Sequence, residues 1–171
     1  MRKIENYNLT KNFSFHELIE GKSLPQLAVE MNWLFLVNSQ EIETIKSNLK
    51  QIAVEMQDVR DLINKEFPQP TEIGIRIFSG FRCLEWEYHR NRKGTSQHVQ
   101  GLAVDFGLTN VHDWELYQEI MNFIHGYYVK HKWMGGLAIK ETNNGISFIH
   151  IDCRKPTNEH IKRGYGARWN Y

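Results

Sequence analysis

The sequence predicts an α+β fold in which N-terminal helices pack on a small, mainly antiparallel sheet. Within residues 1–67, apolar residues recur three or four positions apart, which is the period of an amphipathic helix. From residue 70 onward, short apolar segments are bounded by turn-forming residues, as is typical of strands. Helices that precede the strands, instead of alternating with them, favour an α+β domain over a βαβ array.

The segment 1–67 is expected to form a helical scaffold. Ser14 is a typical N-cap for a short helix that Gly21 closes, and a second helix is expected after Pro25. A longer helix of about two dozen residues is predicted from Ser39 onward. Its apolar stripe consists of Ile42, Ile45, Leu49, Ile52, Met56, Val59, Leu62 and Ile63.

Residues 70–154 are expected to form the sheet region. Isoleucines at alternate positions from Ile73 to Ile77 predict a strand that is bounded by Ser79 and Gly80. The other elements expected here are a helix and loop over 85–98, a buried strand in GLAVDFG (Gly101 to Gly107), a helix over Trp114–Val129, and strands over Gly136–Lys140 and Ser147–Asp152 joined by a turn at Asn143–Gly145.

Length and charge limit the classes of protein to which this chain can belong. With 171 residues, we expect one monomeric domain over 1–171. Lys and Arg together number 21, and Asp and Glu together number 20. The chain as a whole therefore has no excess of positive charge that would attract nucleic acid or an acidic membrane surface. No run approaches the ~18 apolar residues of a membrane span, and the N-terminus lacks the apolar core of a signal peptide. We therefore expect cytoplasmic synthesis and neither nucleic-acid nor membrane partners.

Candidate metal ligands occur in two segments. His98 and Asp105 bracket small apolar residues in SQHVQGLAVDFG, and His150 lies in SFIHIDCR. Zinc takes imidazole and carboxylate ligands, and catalytic zinc sites use three protein ligands. On a strand, Asp152 projects from the same face as His150, where it could orient the ring or carry a proton. From spacing alone, a hydrogen-bonded, half-buried histidine is the more common interpretation of such a pattern.

The remaining histidines and both cysteines lack such patterns. Cys83 and Cys153 are too few for a disulfide framework and are expected to be buried or idle thiols, with a thiol pair near the motif residues as the alternative. The other histidines are expected to be ordinary hydrogen-bonded side chains: His16, His89, His112, His125, His131 and His160.

Four segments follow one another in a characteristic order. They are SGFR at Ser79–Arg82, Asn91 with Gly94, SQHVQGLAVD from Ser96, and FIHID, which ends at Asp152. Their order resembles that of the zinc D-alanyl-D-alanine metallopeptidase family, which shows SGYR, an N…G loop, S-x-H-x-x-G-x-A-x-D and a later histidine flanked by apolar residues. The segment NFSFHELIEG also resembles an N-terminal element of the smaller and phage-encoded members. Four motifs in order are more specific than any one of them.

The resemblance implies a D-Ala-D-Ala peptidase or Hedgehog-like fold that carries a zinc site. By position, His98, Asp105 and His150 would bind the Zn²⁺ ion. Gly101 and Ala103 would be the small residues that let the ligand segment pack closely.

The resemblance also suggests Arg82 and Asp152 as catalytic residues. Arg82 would face the substrate carbonyl, because a fixed guanidinium stabilises an oxyanion or grips a carboxylate; a structural arginine is the alternative. Many relatives carry a glutamate three residues, or a histidine two residues, before the last zinc histidine. Here these positions are Ser147 and Phe148, and neither can act as a base. Asp152 is therefore the candidate for acid–base catalysis or for orienting the His150 ring, with a purely structural role as the alternative.

The implied activity is that of a zinc metallopeptidase. Its substrates would be peptidoglycan stem peptides or cross-links, which it would hydrolyse as a carboxypeptidase or an endopeptidase. Without a signal peptide, such an enzyme fits a phage or prophage lysin that acts on the cell wall once released. The missing base favours the alternative of a non-catalytic module that binds cell wall or protein. The basic, aromatic tail KRGYGARWNY is expected to pack on the domain.

Overall fold

The computed structural model describes residues 3–171 and shows a mixed α and β chain with a five-stranded, mainly antiparallel sheet. The predicted fold class is confirmed at this level. In chain order, the elements are α1 (Phe15–Glu20), α2 (Gln26–Asn38), α3 (Ile42–Glu66), β1 (Gly74–Ser79), α4 (Leu84–His89), a 3₁₀ turn (Gln97–Gln100), β2 (Ala103–Thr109), α5 (Trp114–Lys130), β3 (Gly136–Thr142), β4 (Gly145–Asp152), α6 (Asn158–Arg163) and β5 (Arg168–Asn170). Across this described part, no helix is both long and apolar enough to cross a membrane.

The chain divides into two compact units. The first comprises the residues up to Gln57 together with Ile77–Val104, and the second comprises Asp58–Arg76 together with Asp105–Tyr171. The single domain over 1–171 stays a prediction, and its residues 1 and 2 lie outside the described residues.

The first unit contains the short helices predicted near the N-terminus. α1 begins after Ser14, whose Oγ accepts a hydrogen bond from the Glu17 N–H at 3.3 Å, and it ends at Gly21. α2 begins after Pro25, as the sequence predicts. Both helices contribute to an aromatic and aliphatic core, whose buried members include Phe13, Phe15, Leu18, Trp33 and Leu36.

α3 confirms the long amphipathic helix. It spans 25 residues, Ile42–Glu66. Most of the predicted stripe is buried: Ile45, Leu49, Ile52, Met56, Val59 and Ile63. Ile42 and Leu62 are only half-buried. Removing this stripe from water stabilises the helix, since an isolated helix has little stability of its own.

The strand order in the sheet is β1-β2-β4-β3-β5. In β1, Ile75 and Ile77 are buried while Arg76 is exposed, and all but the last residue of β2 are buried. β3 and β4 form the predicted hairpin, although both strands extend further towards the turn than expected. The sheet therefore confirms the predicted strands and the buried character of GLAVDFG.

The C-terminal segment forms two elements beyond those predicted. α6 begins after Thr157, and β5 pairs in parallel with β3, with Trp169 opposite Ala138. The expectation that the tail packs on the domain is therefore confirmed. This pairing brings the last residues of the chain onto the edge of the sheet beside β3.

Neither cysteine forms a disulfide. Cys83 is buried, and burial raises the pKa of its thiol to about 11. The thiol therefore stays protonated at neutral pH, which confirms the expectation of an unreactive buried cysteine at this position.

Candidate metal centre

His98 lies on the 3₁₀ turn between α4 and β2. Ser96 caps this turn, since its Oγ accepts a hydrogen bond from the His98 N–H at 3.3 Å. The imidazole is fully buried, and its Nδ1 lies 2.6 Å from the carbonyl oxygen of Gly80. A carbonyl can only accept, so Nδ1 carries the proton and Nε2 is the nitrogen with a lone pair for a metal ion.

Gly101 ends the same turn in the left-handed conformation, with φ of 70°. A Cβ built here would lie 3.2 Å from both the Ile45 carbonyl oxygen and the Leu49 side chain. Ala103, two residues later, is fully buried. Small residues at 101 and 103 therefore allow the segment that follows His98 to pack closely, as the sequence suggests.

Asp105 and His150 come from different strands and meet through their side chains. Asp105 lies on β2 and His150 on β4, which are neighbours in the sheet order. The Nδ1 atom of His150 is 2.7 Å from Oδ1 of Asp105, and both side chains are buried. Burial alone would lower the pKa of His150, but its contacts with Asp105 and Asp152 raise it.

The three candidate ligands form one group. One ligand atom from each of His98, Asp105 and His150 lies within 4.8 Å of the other two. The donors are two imidazole nitrogens and one carboxylate oxygen, a set that divalent transition metals accept. This buried group could hold a metal ion.

Asp152 ends β4 and is completely buried. Its Oδ2 lies 3.3 Å from Nε2 of His150, and its Oδ1 accepts hydrogen bonds from the Gly136 N–H at 2.8 Å and from Nε of Arg154 at 2.8 Å. Burial alone would raise the pKa of Asp152, but the hydrogen bonds from His150 and Arg154 outweigh it and hold the pKa far below its usual range. The group is therefore a carboxylate at any working pH.

Gly136 makes room for this carboxylate. A Cβ built on Gly136, which lies opposite Asp152 in the hairpin, would lie 2.1 Å from its Oδ2. Any larger residue at position 136 would force the Asp152 carboxylate to shift. The first residue of β3 thus fixes the position of the Asp152 carboxylate.

Arg82 lies in the loop after β1, and its guanidinium is held by three groups. Nε lies 2.8 Å from a carboxylate oxygen of Glu87, Nη1 donates to Ser79 Oγ at 3.1 Å, and Nη2 donates to Ser96 Oγ at 3.3 Å. Because Ser96 also caps the turn that carries His98, Arg82 is linked to that turn. These contacts fix the guanidinium, and its catalytic role stays a prediction.

Two aromatic residues of the C-terminal tail lie near His150, a position that the sequence does not indicate. The rings of Trp169 and His150 have centroids 5.0 Å apart, and the Tyr171 hydroxyl lies 3.3 Å from Nδ1 of His150. The guanidinium of Arg154, which binds Asp152, lies over the Trp169 ring at 5.4 Å. These contacts depend on the pairing of β5 with β3, which local periodicity does not reveal.

Several other histidines make the ordinary contacts expected of them. His16 contacts the Ile4 carbonyl oxygen at 2.7 Å, His89 stacks on Trp86, and His160 takes part in a capping box with Thr157.

No family model and no curated protein matches the chain. The chemistry of the site therefore rests on its donor atoms and their surroundings.

Proposed function

We propose that the chain is a zinc-dependent hydrolase of peptide bonds in peptidoglycan stem peptides or cross-links. The observation that carries this proposal is the buried group of His98, Asp105 and His150, whose ligand atoms lie within 4.8 Å of one another. Three protein ligands of these types are usual in catalytic zinc sites. When bound there, zinc would lower the pKa of a water molecule to about 7 and polarise the scissile carbonyl.

The residues around the ligands are assigned positioning roles. The Gly80 carbonyl fixes the tautomer of His98, and Asp152 accepts from Nε2 of His150, so both rings have a defined orientation. The low pKa of Asp152 makes its carboxylate a weak base. We therefore assign Asp152 the positioning of His150 in preference to proton transfer.

We assign Arg82 a role in binding the substrate. Its guanidinium is held by Glu87, Ser79 and Ser96, which restricts its orientation before any substrate binds. A fixed guanidinium can bind a terminal carboxylate through two hydrogen bonds or stabilise the oxygen that becomes negative during hydrolysis.

The substrate class is supported by the motifs of the chain. SGFR, the Asn91 and Gly94 pair, SQHVQGLAVD and FIHID occur in the order found in zinc D-alanyl-D-alanine metallopeptidases. Members of that family cleave stem peptides beside D-alanine, which is the bond class proposed here. Two of these motifs supply the buried group described above, His98 and Asp105 from SQHVQGLAVD and His150 from FIHID.

A second candidate function is a non-catalytic module that binds cell wall or protein. The observation that favours it lies on β4, where Ser147 and Phe148 occupy the positions at which many relatives carry a base. Such a module would bind peptidoglycan without releasing D-alanine or stem fragments. Against it, binding alone does not require three buried metal ligands.

The proposal is tested by digesting purified peptidoglycan with His98→Ala and Asp105→Ala proteins and determining fragment masses. Each substitution removes one of three metal ligands, so we expect loss of both bound zinc and cleavage. His131→Ala is the control, because it also removes a histidine but one that is not a proposed ligand. His131 is exposed, and its ring packs on Tyr127. Full cleavage by either ligand variant would refute the proposal, and wall binding without cleavage by the unsubstituted protein would favour the second function.

A further inference from the structure

The chain's last residues are fixed on the edge of the sheet by main-chain hydrogen bonds. β5 pairs in parallel with β3. The Leu137 N–H donates to the Ala167 carbonyl at 3.0 Å, and the Tyr171 N–H donates to the Ile139 carbonyl at 3.2 Å. The backbone at residue 171 therefore has a defined position relative to β3.

The Tyr171 side chain extends from this position towards β4. Its ring packs on Phe148, with centroids 5.3 Å apart, and its hydroxyl oxygen lies 3.3 Å from Nδ1 of His150. Phe148 and His150 are two residues apart on a strand, so they share a face. The same Nδ1 atom is 2.7 Å from Oδ1 of Asp105. The hydroxyl therefore lies beside His150, a proposed metal ligand whose Nδ1 atom also contacts Asp105.

Core packing does not account for this placement, because 53% of the Tyr171 surface is exposed. An exposed ring held over a buried histidine can touch a molecule bound at the site. Trp169 also fixes this segment, through contacts with His150 and Arg154.

We propose that the Tyr171 hydroxyl donates a hydrogen bond to the substrate carbonyl oxygen as that oxygen becomes negative, which makes Tyr171 a further catalytic residue. The inference rests on the proposed hydrolase function. In the reaction, the oxygen of water bonds to the carbonyl carbon and the C–N bond breaks. The products are a carboxylate and a protonated amine, which together contain all the atoms of water. Tyr171 keeps its proton throughout.

The chemistry of the phenol suits this role. The Tyr171 ring packs on the apolar Phe148 ring and carries its hydroxyl group to His150. If Nδ1 of His150 binds a metal ion, its lone pair cannot also accept from the phenol. A substrate oxygen beside the ligands can then accept the hydrogen bond that the Tyr171 hydroxyl donates. Donors aimed at a developing oxyanion lower the barrier because their orientation is fixed before the reaction.

The test compares Tyr171→Phe, which removes only the hydroxyl, with the unsubstituted protein. We expect kcat on a synthetic stem peptide to fall on the order of 10- to 100-fold while KM stays within about twofold. The affinity of the zinc-loaded protein for a phosphinate analogue of the dipeptide, measured by calorimetry, should fall by a similar factor. Zinc content and the visible absorption of the cobalt-substituted protein should not change.

The control is Tyr88→Phe, because Tyr88 is exposed to a similar extent, at 57%, and this variant should behave like the unsubstituted protein. If the unsubstituted protein cleaves the peptide and Tyr171→Phe cleaves it equally well, the inference is wrong and the proposed function stands. If Tyr171→Phe loses zinc, the residue is structural and the inference is again wrong. If the zinc-loaded unsubstituted protein neither cleaves the peptide nor binds the phosphinate, the proposed function fails and the inference fails with it.

Discussion

Asp152 has no exposure to solvent, yet it is charged. A buried carboxylate is costly unless donors compensate for the water it has lost. Here the compensating donors are the Gly136 N–H and the guanidinium and N–H of Arg154, and His150 lies against the other carboxylate oxygen. A carboxylate held by so many donors is suited to orienting a neighbouring ring and poorly suited to taking up a proton.

Asp152→Asn tests this distinction. The amide keeps the size of the side chain and removes its charge, so His150 should remain available as a ligand while its orientation and basicity suffer. We expect zinc to be retained and turnover to fall about 10- to 100-fold, as is common when a partner of a metal ligand is changed. Zinc content and kcat are measured on the same preparation.

Asp58→Asn is the matched control, because it also replaces a carboxylate by an amide, but at an exposed position. It should alter neither quantity. Normal turnover in Asp152→Asn would show that Asp152 has no role in catalysis.

The 3₁₀ turn from Gln97 to Gln100 presents His98, and its geometry depends on its two ends. Ser96 accepts a hydrogen bond from the His98 N–H, and Gly101 reverses the chain in a conformation that L residues adopt at a cost of roughly 1–2 kcal/mol. A Cβ at position 101 would also lie tight against α3. Both effects act on the element that carries a proposed ligand.

Gly101→Ala should therefore lower the free energy of unfolding by about 1–2 kcal/mol and weaken metal binding. The comparison is Gly126→Ala on the exposed face of α5, where a Cβ meets nothing within 4 Å. That substitution should raise the free energy of unfolding by about 0.5–1 kcal/mol, because alanine favours the helix. Urea unfolding measures both. Equal stability of the two variants would show that the turn does not need glycine.

Elements with a clear period are predicted well from the sequence. The stripe of α3 and the apolar run of β2 follow from local patterns, and both are confirmed. The 3₁₀ turn is too short to have a period. β5 has only three residues, and its partner β3 is distant in sequence, so no local pattern reveals it. For the same reason, the site residues Tyr171 and Trp169 escape prediction, whereas His98, Asp105 and His150 lie within motifs.

The three proposed ligands lie on three separate elements, the 3₁₀ turn, β2 and β4, so their grouping within 4.8 Å exists only when the protein is folded. A metal ion that binds the folded chain, and not the unfolded chain, adds its binding free energy to stability. We propose that such an ion, held by His98, Asp105 and His150, makes the chain a peptidoglycan hydrolase.

The most direct test is digestion of purified peptidoglycan by one preparation in three states: as purified, stripped by a chelator, and restored with zinc. We expect stem-peptide fragments in the first and third states and none in the second, because the proposed hydrolysis needs the ion to activate water. Fragment release that persists undiminished in the stripped protein, at a zinc content near zero, would show that the chain does not cleave peptidoglycan through a bound metal ion.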